Sequence, residues 1–294
     1  MTADGKTVSL VLGSGGARGL AHIGVINVLE NNGYEVRSIA GCSMGALVGG
    51  IYAAGKLDEF ENWVRAIDKM DIVSLLDIAW QKHGLVKGDK IINTLVDLVG
   101  DRLIEDLPMP FTAVAADVRN EKEVWISSGK LFDAIRASIS LPLFFTPVEY
   151  KKGHLIDGGV LNPVPIAPTF NDDTDIKVAV NLGGPVENVE RRGSSESRGD
   201  GELSGFQDRV RRFIDDLQDS ILARDENDWS VYDIADQAFD AMQGAIARNK
   251  LAAYPPDVHI EIARNACGTL EFDRADEMIE LGRQKARQAL GISA

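Results

Sequence analysis

Val8-Ser-Leu-Val-Leu12, then Gly13-Ser-Gly-Gly-Ala-Arg-Gly19, and further on Val36-Arg-Ser-Ile-Ala40 running into Gly41-Cys-Ser-Met-Gly45, decide the fold of this chain. The first apolar run is short, carries β-branched residues and ends in glycines, which reads as a buried strand. A helical stretch follows the glycine loop, with Leu20, Ile23, Ile26 and Leu29 roughly on one face. Asn31-Asn-Gly33 stops it, because glycine accepts the left-handed conformation just past a helix. The second apolar run completes a strand–loop–helix–strand unit. Its two strands are expected to be parallel neighbours joined by a right-handed crossover.

Outward from this unit the same texture continues. A small-residue helix is expected over 44–54, with more helical segments over 57–99. Strands are expected at 111–116, 123–126 and 176–181, with a short strand at 258–262 adding to the sheet edge. Alternating helices and strands make the class α/β, with helices covering a mixed, mostly parallel sheet. Residues 187–204 have no apolar periodicity and many Glu, Ser, Arg and Gly, which predicts a mobile surface loop. Helical patterns return at 205–223, 229–250 and 273–290. The expected organisation is a catalytic α/β domain over 8–185, a mobile loop over 186–204, and a C-terminal helical region over 205–294 packed on the core.

Composition narrows the function. The 294 residues carry a formal charge of −14, which disfavours duplex nucleic acid as a partner, since phosphate binding needs a basic surface. Two cysteines cannot build a disulfide framework, and the four histidines show no metal-ligand spacing, so no metal is expected. Residues 38–55 are uncharged, but their five glycines fit a buried strand, turn and helix better than a membrane span. Residues 1–7 contain Asp4 and no basic run, and the apolar stretch behind them is too short for a signal peptide. A soluble, cytoplasmic protein is expected.

Glycine is in excess, 29 residues, and the excess gathers at three loops. Gly41-x-Ser43-x-Gly45 stands at a strand-to-helix junction, where a serine is held in strained backbone geometry with its hydroxyl at the positive end of the next helix. Gly13-x-Gly15-Gly16 admits two uses. As a dinucleotide loop it has Arg18 near the place of the third glycine and lacks the acidic residue expected after the second strand. As an oxyanion hole it offers the bare N–H groups of Gly15 and Gly16, and parallel strands bring it to the same sheet edge as Ser43. Acyl transfer explains both loops together. The base is either Asp157, in Leu155-Ile-Asp157-Gly158-Gly159, or His259 in a Ser-Asp-His order. His22, early in a helix, reads as a packed histidine.

Together these residues resemble the patatin-like phospholipase family. The resemblance rests on the glycine loop with Arg18, the Ser43 turn, Asp157-Gly158-Gly159, and Arg136-Ala-Ser-Ile-Ser-Leu-Pro-Leu-Phe-Phe-Thr-Pro147, and it covers residues 8–185. It implies a three-layer fold and a Ser–Asp dyad without histidine. Ser43 is then the nucleophile and Asp157 the general base. Gly15, Gly16 and Met44 are the oxyanion donors, Arg18 supports the loop or its charge, and Gly13, Gly41, Gly45, Gly158 and Gly159 are frame residues. The implied substrates are phospholipid and lysophospholipid acyl esters, without a cofactor. Pro142, Leu143, Phe144 and Phe145 are candidates for an acyl-pocket wall. The expected helix 205–223, with Phe206, Val210, Phe213, Ile214, Leu217 and Ile221 on one face and Arg209, Arg211 and Arg212 near its start, suits either packing on the core or transient contact with a membrane surface. A triad esterase using His259 and a non-catalytic lipid- or nucleotide-binding domain are the competing expectations.

Overall fold

The computed structural model describes residues 5–67, 69–75, 86–151, 153–187 and 231–292. The expected loop beyond Glu187 and the expected helix 205–223 lie outside the described residues. The described residues fall into two compact units, one holding 5–187 with 243–292 and the other 231–242.

In chain order the N-terminal elements are β1 (Thr7–Leu12), α1 (Ala21–Asn31), β2 (Glu35–Cys42), α2 (Met44–Ala53), α3 (Leu57–Ala66), α4 (Lys69–Leu75) and α5 (Asp89–Val99). Then come β3 (Phe111–Asp117), β4 (Lys122–Ile126), α6 (Leu131–Ser138), β5 (Val148–Tyr150), β6 (Gly153–Asp157) and β7 (Ile176–Gly184). The chain closes with α7 (Val231–Ala253), β8 (Val258–Ala263) and α8 (Ala275–Leu290). The uncharged run 38–55 is the second half of β2, the turn at Ser43, and α2. No helix among the described residues is long and apolar enough to cross a membrane.

The strands form one mixed sheet in the order β5-β6-β3-β2-β1-β7-β8, with β4 pairing β3. β1 lies parallel to both β2 and β7, and β2–β3 and β7–β8 are parallel as well. The antiparallel pairs gather at β3, where β4 and β6 join it, and at the β5–β6 hairpin. One register decides where chemistry can occur. Cys42, the last residue of β2, pairs with Val114, and Asp157, the last residue of β6, pairs with Ala115. Two strand ends thus arrive at consecutive residues of β3.

Alternation along the strands separates two apolar layers. Leu10, Leu12, Val178 and Val180 belong to the main core, which also holds Ile23 of α1 and Met278 of α8. Val11 and Ala179, between them in sequence, face the other way and are buried with Val164, Ile166 and Ala247 of α7. Helix, sheet, helix is the three-layer arrangement expected. The C-terminal elements are part of it: β8 extends the sheet, and α8 crosses α1 at two glycines. A side chain on Gly24 would collide with the Ile279 carbonyl, and one on Gly282 with the Ala21 carbonyl.

That crossing makes a prediction whose sign is diagnostic. Helix propensity alone has Gly282→Ala stabilising the protein by up to about 1 kcal/mol. Backbone contact at the crossing instead predicts destabilisation of about 1–3 kcal/mol from overpacking, read from urea unfolding midpoints.

Candidate active site

Ser43 sits between the end of β2 and the start of α2 with φ 55 and ψ −124, a left-handed conformation that a serine rarely adopts. The turn needs glycine around it. A side chain on Gly41 would run into the Gly45 carbonyl, and one on Gly45 into the Leu12 carbonyl. The backbone is held from a third side by Ser138 at the end of α6. Its Oγ accepts from the Ser43 amide at 2.9 Å and donates to the Val114 carbonyl at 2.6 Å. The strained turn is therefore anchored to the strand it borders.

Asp157 is fully buried. Its Oδ2 accepts from Ser43 Oγ at 2.5 Å and its Oδ1 from the Gly159 amide at 2.7 Å. Its own amide donates to the Ser140 carbonyl at 2.9 Å. Burial pushes the carboxyl up from the usual 3.8 to about 6, against the two hydrogen bonds, which favour the charge. Gly158 is required by space, since a side chain there would meet the Val114 carbonyl.

The glycine loop lies beside this pair. Gly13 and Ser14 amides donate to Val180 and Pro163 carbonyls, and the Ala17 amide to Thr269. The amides of Gly15 and Gly16, and that of Met44 in the first turn of α2, have no acceptor among the described residues. Gly16, with φ 55, packs against Thr269 where no side chain would fit. Buried Arg18 donates Nε to the Gly15 carbonyl at 3.1 Å and Nη1 to the Arg264 carbonyl. Those bonds brace the loop against the segment that follows β8.

Gly16, Ser43 and Met44 also line one apolar cavity of about 100 Å³, open to solvent on one side. Leu47, Phe60, Leu95, Phe144, Phe145 and Leu270 are among its other walls. Of the four sequence candidates for the wall, Phe144 and Phe145 line it. Pro142 and Leu143 do not; Leu143 is 62% exposed.

Other candidates fall elsewhere. His259 is on β8, beyond β1 and β7 from the strand that ends at Ser43, and its Nε2 lies 3.7 Å from Glu261 Oε1. His22 is fully buried with Nε2 2.9 Å from the Gly13 carbonyl, and burial lowers it to about 4, so it stays neutral and holds the loop. The Cys42 thiol, next to Ser43 in sequence, is pushed well up by burial and by Asp157, so no thiolate competes as nucleophile. No cluster of His, Cys, Asp and Glu able to hold a metal occurs among the described residues. Ser138 and Ser140 went unassigned at the level of sequence. Both stand in the Arg136–Pro147 segment, but nothing in their spacing announces an anchor for two backbone amides.

A family model described as patatin-like phospholipase matches residues 10–170. An uncharacterized NTE family protein of Mycobacterium bovis is 38% identical over 96% of this chain and 91% of its own length. Lysophospholipase NTE1 of Pyricularia oryzae is 28% identical over 95% of this chain but only 18% of that protein. Among solved structures, VipD from Legionella pneumophila superposes with a TM-score of 0.46 at 16% identity, over 97% of this chain and 66% of that one.

Ser138→Ala tests the anchor. It leaves the Ser43 amide and the Val114 carbonyl buried without a partner, so a loss of about 2–4 kcal/mol in unfolding free energy is expected. Urea denaturation measures it, and a change below about 0.5 kcal/mol would show that the turn holds without this bridge.

Proposed function

This chain belongs to the patatin-like phospholipase family, and from that premise we propose that it is a serine lipid acyl hydrolase working through a Ser43–Asp157 dyad. One observation carries the reading: Ser43 Oγ lies 2.5 Å from a fully buried carboxylate, and Ser43 lines an apolar cavity. The hydroxyl has a base in contact, and an acyl chain has a dry place to lie.

In acylation, Ser43 Oγ attacks the ester carbonyl carbon while its proton passes to Asp157 Oδ2. The carbonyl oxygen becomes an oxyanion facing the unpaired amides of Gly15, Gly16 and Met44, at the positive end of α2. As the tetrahedral centre collapses, the bond to the leaving alcohol breaks and the alcohol takes the proton from Asp157. In deacylation, water bonds to the acyl carbon and gives its proton to Asp157. Ser43 Oγ then leaves, recovers that proton, and the fatty acid is released. Arg18 keeps the loop in place for both steps.

Phospholipids and lysophospholipids are the substrates we propose, with the acyl chain against Phe144 and Phe145. The reading includes a cytoplasmic protein that touches membrane surfaces transiently, with residues 8–185 as its catalytic domain. A triad reading finds no support, since both Asp157 oxygens are engaged and His259 lies against Glu261.

A fluorophosphonate probe tests the nucleophile: wild type is labelled and Ser43→Ala is not. Asp157→Asn is expected to lower kcat about 10²–10⁴-fold, and His259→Ala to leave it within twofold. The opposite pattern would replace the dyad by a triad.

The acid limb follows from the carboxyl. With its value near 6, kcat/KM is expected to fall about tenfold per unit below that pH and to level off above it. Stability runs the other way. The folded value lies above the unfolded one, so the charge opposes folding and this group's contribution declines as pH rises from 3.8 through about 6. Asp157→Asn is therefore expected to raise the melting temperature at pH 8 and to change it little at pH 4.5. A lower melting temperature at pH 8 would mean that the two hydrogen bonds outweigh the burial.

A further inference from the structure

Along the second half of α7, Gln243, Ala247 and Leu251 share one stripe at i, i+4 and i+8. Ala247 is buried against the sheet, and Leu251 packs on the same cluster. An apolar residue at 243 would prolong this seam. A glutamine stands there instead, only 9% exposed, and its amide has no hydrogen-bond partner among the described residues. Ser14, in the glycine loop and 7% exposed, likewise has no partner for its hydroxyl. Neither polar tip is sealed off in the way that His22 Nδ1 and Asn162 Oδ1 are, so a small hydroxyl can reach both.

They converge on one place. A Cβ on Gly159 would stand 2.5 Å from Gln243 Nε2, 2.6 Å from Ser14 Oγ and 3.0 Å from Asp157 Oδ1. Glycine lets the three groups close on one face of the turn, with Asp157 Oδ1 already accepting from the Gly159 amide. The geometry is braced: Lys250, two turns along α7, donates to Glu123 Oε1 at 2.7 Å, and Asn162, just past Gly159, donates to Glu123 Oε2 at 2.8 Å. Helix and turn are thereby tied to the same carboxylate.

We infer that Ser14 and Gln243 form a subsite that hydrogen-bonds a neutral hydroxyl beside Asp157. Two sources supply that chemistry: the water that hydrolyses the acyl-enzyme, or a hydroxyl on the glycerol side of the leaving group. A phosphate does not suit it, because no cationic side chain stands among the three groups and the Asp157 carboxylate repels an anion. The inference rests on the serine hydrolase reading above.

Ser14→Ala and Gln243→Leu test it, the second extending an apolar seam and so expected to fold. Rates are taken per site titrated with a fluorophosphonate, on p-nitrophenyl butyrate, which has no glycerol, and on lysophosphatidylcholine. If the subsite holds water, each variant turns over both substrates about tenfold more slowly, and mass spectrometry finds acyl-Ser43 accumulating. If it holds a glycerol hydroxyl, kcat/KM falls about tenfold for the lysolipid alone and the butyrate rate stays within twofold. Both variants within twofold of wild type on both substrates would overturn the subsite. A wild-type protein that is not labelled at Ser43 and hydrolyses neither ester would overturn the parent reading instead.

Discussion

Asp157 is a fully buried carboxylate, and with Ser43 unacylated its two oxygens find their hydrogen bonds within the protein. One comes from the Gly159 amide, delivered by a tight turn that admits no side chain at Gly158. The other comes from Ser43, delivered because β2 ends at Val114 of β3 just where β6 brings Asp157 to Ala115. The sheet register, the strained turn and the glycine pair are thus one arrangement seen from three sides. Displacing any of them leaves a buried charge short of a partner, which is among the costlier faults a core can carry.

The strain at Ser43 is sustained by what surrounds it. Ser138 ties its amide to β3, Gly41 and Gly45 remove the atoms that would collide, and α2 continues directly from it with Gly49 and Gly50 lying close over Ile39 and Ile135. Further out, α1 and α8 cross at Gly24 and Gly282, so the helix carrying His22 is clamped by the chain's last helix. His22 in turn holds Gly13 at the start of the glycine loop. Residues more than 250 positions apart, such as Gly24 and Ile279, therefore bear on one loop through direct packing.

The sequence made legible what is local. Residues 8–45 name a strand, a loop, a helix, a strand and a turn because period, glycine placement and branching all lie in one short window. The strands at 111–117, 176–184 and 258–263 were readable for the same reason. Asp157 was readable as a residue but not as a partner: an Asp-Gly turn is common, and only pairing across β3 distinguishes this one. Ser138, Ser140, Ser14 and Gln243 were not readable as parts of a site. Their meaning lies in contacts 17 to more than 80 residues away, such as Ser140 with Asp157 and Ser138 with Val114, and a single sequence holds no record of register. Pro142 and Leu143 erred in the converse way. Adjacency in sequence to Phe144 and Phe145 predicts a place in the wall, whereas the turn at Leu143, with φ 68, puts that side chain outside.

The proposed dyad, which dispenses with histidine, must explain how an aspartate can take a proton from a serine. In water its value near 3.9 makes it a poor base. Burial moves it to about 6, toward the working pH, where a general base is both ionised and willing to accept. What remains of the uphill transfer falls to the oxyanion side. The amides of Gly15, Gly16 and Met44 already lack acceptors, so they need no reorganisation when charge develops. An imidazole would carry positive charge through the transition state and want a carboxylate of its own behind it. In the proposed mechanism the carboxylate stands in the front position and is neutralised as it accepts the proton, so the buried site needs no extra cation.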